Sequence, residues 1–280
     1  MKRPGNKVQV WIFLIATFAI SYAIEIYMIL NGGMQNVGYL TLPLMWVPGV
    51  VGLVCSWFFG HRFRDIGFRL GRLKYYGWAY LIPMGTAIIT FLLLMATQID
   101  HFKISTKMLE RFGDVNGVLM RLLVYMPTVG ILIGTFSRAI GEEIGWRGFL
   151  QTRFLEMKIK HPFFVIGIIW GLWHLPMIIF ADYATSDLPW LSAMLFFVSV
   201  TCFAVIIGYL RLWSGTVLVP ALAHDVHNTW IQGIYPRFLF KGPLDPYFGG
   251  ESGVFVATIY LVIAIVMTKK AKQSATTYKV

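Results

Sequence analysis

The chain has 280 residues, 57% of them apolar and only 13% charged, with a mean hydropathy of +0.67. That is more hydrophobic material than a soluble core of this length uses, so composition points to an all-α, polytopic membrane protein and excludes an ordinary soluble enzyme. The formal net charge of +11 does not indicate nucleic-acid binding, because the basic residues fall between apolar stretches, where they set membrane topology.

Lys2, Arg3 and Lys7 precede an apolar run over 8–30. The run is close to the ~20 residues a membrane helix needs and lacks a clean small-residue cleavage site, so it reads as a retained first span. Glu25, near its far end, is expected to snorkel to the interface. A second span is predicted over 37–59, followed by a loop rich in Arg62, Arg64, Arg69, Arg72 and Lys74, and a third over 76–97. The mixed, charged stretch 98–126 reads as a loop with a helix lying in the interface, closed off by Pro127. Further spans are predicted over 128–150, 163–180, 190–210, 215–234 and 254–267. Cys55 and Cys202 both lie in apolar runs and read as small apolar residues, since their spacing fits neither a redox nor a metal pair. With no linker and no internal repeat, residues 1–280 read as a single membrane domain.

Eight spans place both termini on one side. That side would carry sixteen of the 24 Lys and Arg; six (Lys103, Lys107, Arg111, Arg121, Arg237 and Lys241) fall on the other, and Arg138 and Arg147 lie inside the fourth span. The asymmetry predicts a multi-pass protein of the cytoplasmic membrane with cytoplasmic termini.

The stretch Glu142-Glu143-Ile144-Gly145-Trp146-Arg147 interrupts this pattern. An ionisable side chain at the bilayer centre costs about 2.5–3.5 kcal/mol on insertion scales, so these residues either neutralise one another or do chemistry. At 1.5 Å of rise per residue, Glu142, His174 and His224 sit at similar depths in three predicted spans, roughly 12–16 Å from the side bearing the termini. Glu143 and Arg147, Trp170 and His174, and His224 and Asn228 are each four residues apart and share a helix face. Gly141/Gly145 and Gly167/Gly171 are small-xxx-small patterns that allow close helix approach.

In order and spacing, Glu142-Glu143-xxx-Arg147, Trp170-xxx-His174 and His224-xxx-Asn228 resemble the three motifs of the CPBP family of intramembrane endopeptidases. That family includes CAAX prenyl proteases of the Ras-converting type and bacteriocin-processing and self-immunity proteins. The resemblance covers residues 128–234 and departs from the family at Trp170, where the pattern usually has Phe. It implies about eight helices around a conical intramembrane catalytic cavity. It further implies that Glu142 and His174 activate water, that His224 and Asn228 stabilise the oxyanion, and that Glu143 and Arg147 form a supporting pair. No cofactor is expected on this reading. The mechanistic alternative is a zinc shell of Glu142, His174 and His224 with water in the fourth position. The expected partners are the lipid bilayer and a membrane-associated peptide or lipidated protein, with the site opening toward the cytoplasmic half of the membrane.

Three other readings compete. Arg138–Glu142 and Glu143–Arg147, each at i,i+4, could be two structural salt bridges without catalysis. A proton- or cation-coupled transporter would place similar groups at mid-depth, but predicts a second matching set in a repeat that is absent here. A non-catalytic immunity protein would keep the fold without the chemistry. A serine mechanism is disfavoured because no Gly-x-Ser-x-Gly occurs.

Overall fold

The computed structural model describes residues 4–181, 183–184 and 186–277, with side chains described to residue 273. Among the described residues, seven helices are long and apolar enough to cross a membrane: α1 (Asn6–Leu30), α2 (Gly33–Phe58), α3 (Lys74–Ala96), α4 (Val115–Glu156), α5 (Pro162–Phe180), α6 (Pro189–Ser214) and, after a shorter one, α8 (Val254–Thr277). The shorter helix, α7 (Leu218–His227), continues in wide π-type turns through Asn228–Ile234 and packs between α3 and α6. Helices dominate because in lipid each must satisfy its own backbone hydrogen bonds. Their ends follow local chemistry. Proline opens α5 and α6, where no N–H is needed, and Gly215, at φ +78°, closes α6 in the left-handed conformation.

Two sequence expectations change. Residues 115–156 form one continuous helix rather than an interfacial helix and a separate span, and Pro127 lies inside it. The stretch Met120–Gly130 winds in wider turns, which accommodate the missing proline N–H, and the Thr128 hydroxyl donates to the Val124 carbonyl. Wide turns recur at Thr135–Ala139 and Ile144–Leu150, on either side of the two glutamates. Of the basic residues used to predict topology, Lys2, Arg3 and Lys279 lie outside the described residues.

Packing radiates from α6, the most enclosed helix, which lies against α5, α7 and α8; α3 flanks α7, and α2 joins α1 to α4. The α2–α4 contact explains the glycines of the acidic stretch. A Cβ on Gly145 would come within 2.5 Å of the Pro48 carbonyl carbon, so only glycine permits this approach. Phe13 of α1 meets the Trp146 ring edge-on at 5.8 Å and fastens α1 behind the same segment. Cys55 and Cys202 are free and buried, as expected.

The chain thus has a near face, where α1 begins and α8 ends, and a far face carrying the connections 31–32, 97–114 and 235–253 and the described residues between α5 and α6. Two short strands, His101–Phe102 and Leu239–Phe240, pair antiparallel and tie two far-face connections together. Asp100, wholly buried beside them, accepts from the Gly242 N–H at 2.8 Å. Burial pushes the Asp100 carboxyl up from 3.8 to about 6.

Candidate active site

A cavity of about 340 Å³ opens among α1, α2, α4, α5, α6 and α7, and Glu142, His174, His224 and Asn228 all line it. Glu143 and Arg147 do not line it; they are fully enclosed behind it.

The two adjacent glutamates are on separate duties because neighbouring residues on a helix point about 100° apart. Glu142, 2% exposed, faces the cavity, and its Oε2 accepts from the Trp170 indole N–H at 2.7 Å. The aromatic residue that departs from the resembled pattern therefore supplies a hydrogen bond that phenylalanine could not. Glu143 points away from the cavity. Its Oε1 receives both Arg147 Nη1 at 3.0 Å and His224 Nδ1 at 2.9 Å. The Arg147 guanidinium lies over the Trp170 ring at 4.2 Å, so one buried cation links α4 to α5 while its anion links α4 to α7.

The imidazoles are oriented by their second nitrogens. His174 donates from Nδ1 to the Trp170 carbonyl at 2.9 Å, one helical turn back. That bond places the proton on Nδ1 and leaves Nε2 as the ring's free nitrogen. The ring is also held edge-on to Trp173, with centroids 4.6 Å apart. His224 spends Nδ1 on Glu143 in the same manner. On Asn228, the side-chain oxygen accepts from Gln232 Nε2 at 3.3 Å, which leaves the amide N–H groups for another partner.

Arg138 corrects the salt-bridge alternative. It does not pair with Glu142; it reaches Asp225 on α7 at 2.9 Å. Glu143–Arg147 does form, as the spacing predicted. Among the described residues, no group of three His, Cys, Asp or Glu side chains is drawn together as a metal shell would require.

Several lining residues were not legible in advance. Glu25 does not snorkel; it is 1% exposed, lines the cavity, and neither carboxylate oxygen has a hydrogen-bond partner. Glu251, in the far-face connection between α7 and α8, accepts from Gln232 at 2.8 Å and sits 3.6 Å from His227 Nε2, whose Nδ1 meets the Tyr260 hydroxyl at 2.7 Å. Burial pushes the Glu251 carboxyl up, but His227 and the Tyr183 hydroxyl outweigh it and hold the group below the usual carboxylate range. The one sequence hint was a lone acid among Gly249, Gly250 and Gly253.

The mouth of the cavity is partly built from connections between helices. Its loop-borne lining residues, Tyr183 and Glu251, belong to far-face connections, as does Arg237 just past α7.

The helical bundle thus brings a buried carboxylate and two imidazoles to one cavity, a functional site set within membrane-spanning helices. Residues 124–230 match the family model described as type II CAAX prenyl endopeptidase, Rce1-like, in agreement with the motif resemblance. The matched segment contains every residue of the three motifs, from Glu142 to Asn228, and supports an intramembrane protease function. No curated protein matches the chain.

Proposed function

We propose that the chain is an intramembrane endopeptidase that hydrolyses a peptide bond close to the membrane anchor of its substrate, using a water activated by Glu142 without a metal. The observation that carries this reading is that Glu142, His174, His224 and Asn228, brought from three helices, line one cavity.

Hydrolysis needs a base for water, donors for the oxyanion and a proton for the leaving amine. With Oε2 held by Trp170, the other oxygen of Glu142 is available to take a proton from water. The Nε2 lone pair of His174 accepts the second hydrogen of that water and aims an oxygen lone pair at the substrate carbonyl. As hydroxide adds to the carbonyl carbon, the C=O electron pair moves onto oxygen. The Asn228 N–H receives that charge, joined by Nε2–H of His224 in its doubly protonated form. Glu143 balances the imidazolium charge and Arg147 anchors Glu143. Collapse breaks the C–N bond, and the amine leaves with the proton stored on Glu142.

The test is cleavage of a quenched fluorescent peptide carrying a farnesylated CAAX tail by detergent-solubilised protein. Glu142→Gln is expected to abolish turnover while the protein keeps its thermal transition, and a strong chelator to have no effect. Inhibition by chelator that zinc reverses would transfer the reaction to a metal. Full activity in Glu142→Gln would remove that residue as the base.

A further inference from the structure

The cavity has a floor and a mouth, and they lie at opposite ends of the bundle. Its floor is formed by Glu142, Trp170, Phe203 and His224. Behind them, toward the near face, Trp146, Phe149, Leu150 and Ile207 are each no more than 2% exposed, and Gln151 bonds across to the Gly208 carbonyl at 3.0 Å. This layer closes the site on that side. Toward the far face the lining passes through Met34, Asn228 and Gln232 to Tyr183, Arg237 and Glu251, which belong to or border far-face connections. Among the described residues, none from the near-face connections 59–73, 157–161 and 215–217 lines the cavity.

Charge distinguishes the two faces independently. Among the described residues, thirteen Lys and Arg lie in or beside near-face segments and six in or beside far-face ones. Every connection is far shorter than the ~60 residues beyond which the positive-inside rule weakens, so the near face belongs to the cytoplasm. We infer that the cavity is loaded from the extracytoplasmic side, and that its substrate is a polypeptide segment presented outside the membrane rather than a lipid-modified cytosolic tail. The substrate statement rests on the protease reading; the side of loading does not.

Sided labelling tests it. In a Cys55→Ala/Cys202→Ala background, single cysteines are placed at Lys107→Cys in a far-face connection, Lys160→Cys in a near-face one, and Gln232→Cys at the cavity rim; all three positions are exposed. A membrane-impermeant maleimide is applied to intact host cells and to sealed inverted vesicles. Cysteines at 107 and 232 are expected to label in cells and the cysteine at 160 only in inverted vesicles. Labelling at 232 from the cytoplasmic side alone, or from neither side, overturns the inference. Where the solubilised protein cleaves the peptide, sealed right-side-out vesicles are expected to cleave it when it is added outside and inverted ones are not; the reverse also overturns it. The labelling pattern is independent of activity and decides the side of loading whether or not this peptide is cleaved in detergent.

Discussion

Arg147 and Glu143 are both fully buried and 3.0 Å apart, which makes their separation a demanding test of how the site is held. Arg147→Met leaves the Glu143 carboxylate in a low-dielectric interior with His224 as its remaining partner. Removing one member of a buried pair costs about 3–5 kcal/mol. At about 2–4 °C per kcal/mol for a chain of this size, the thermal transition should fall by about 6–20 °C. Glu143→Gln alone leaves the guanidinium facing only the Trp170 ring and should cost a comparable amount. The double variant Glu143→Gln/Arg147→Met removes both members of the pair, and its amide oxygen can still accept from His224 Nδ1. It should be more stable than either single variant, with a coupling energy of at least about 2 kcal/mol. Cys55 and Cys202 are buried, so a thiol-reactive dye reports unfolding in detergent directly. An Arg147→Met transition within about 2 °C of the parent, or a double variant as unstable as the two singles combined, would refute the claim that this pair is mutually compensating.

Asn228→Ala should lower kcat by about 10²–10³-fold, the usual effect of losing one oxyanion donor, with KM little changed; an equal fall in affinity would assign Asn228 to substrate binding instead. Gly145→Val should prevent the α2–α4 contact and lose the folded protein, whereas Gly85→Val, where no atom lies within 4 Å of the added carbon, should be tolerated; size-exclusion profiles in detergent distinguish them. Asp100 has a folded-state value above its ordinary one, so the folded protein binds more protons between pH 3.8 and about 6. Its contribution to stability is therefore present at low pH and lost as pH rises through that window. Asp100→Asn keeps the acceptor for Gly242 and should flatten the dependence of the melting temperature on pH between 4 and 6; an unchanged slope would assign it to neighbouring groups such as Asp245 and Lys241.

The sequence by itself was enough to place the helices other than the first half of α4, where Pro127 hid the continuity of 115–156, and to select the polar side chains at depth. A membrane helix satisfies its backbone within one segment, so apolar runs reveal it locally, and a buried ionisable residue stands out against such a run. Spacing also found Glu143–Arg147, because both partners lie on consecutive turns of α4. What spacing could not decide was any partner brought by another helix. Arg138 and Glu142 are four apart, yet the wide turns at Thr135–Ala139 alter the local phase, and α7 offers Asp225 at 2.9 Å. The same helix claims Glu143 through His224, 81 residues away. Glu25 is near a helix end and would be wet on an isolated α1, but its neighbours enclose it. The direction of the cavity, finally, depends on which end of the bundle the tight packing around Trp146 and Phe149 closes. That is a property of eight helices together, carried by side-chain volume at close contact, and no single segment encodes it.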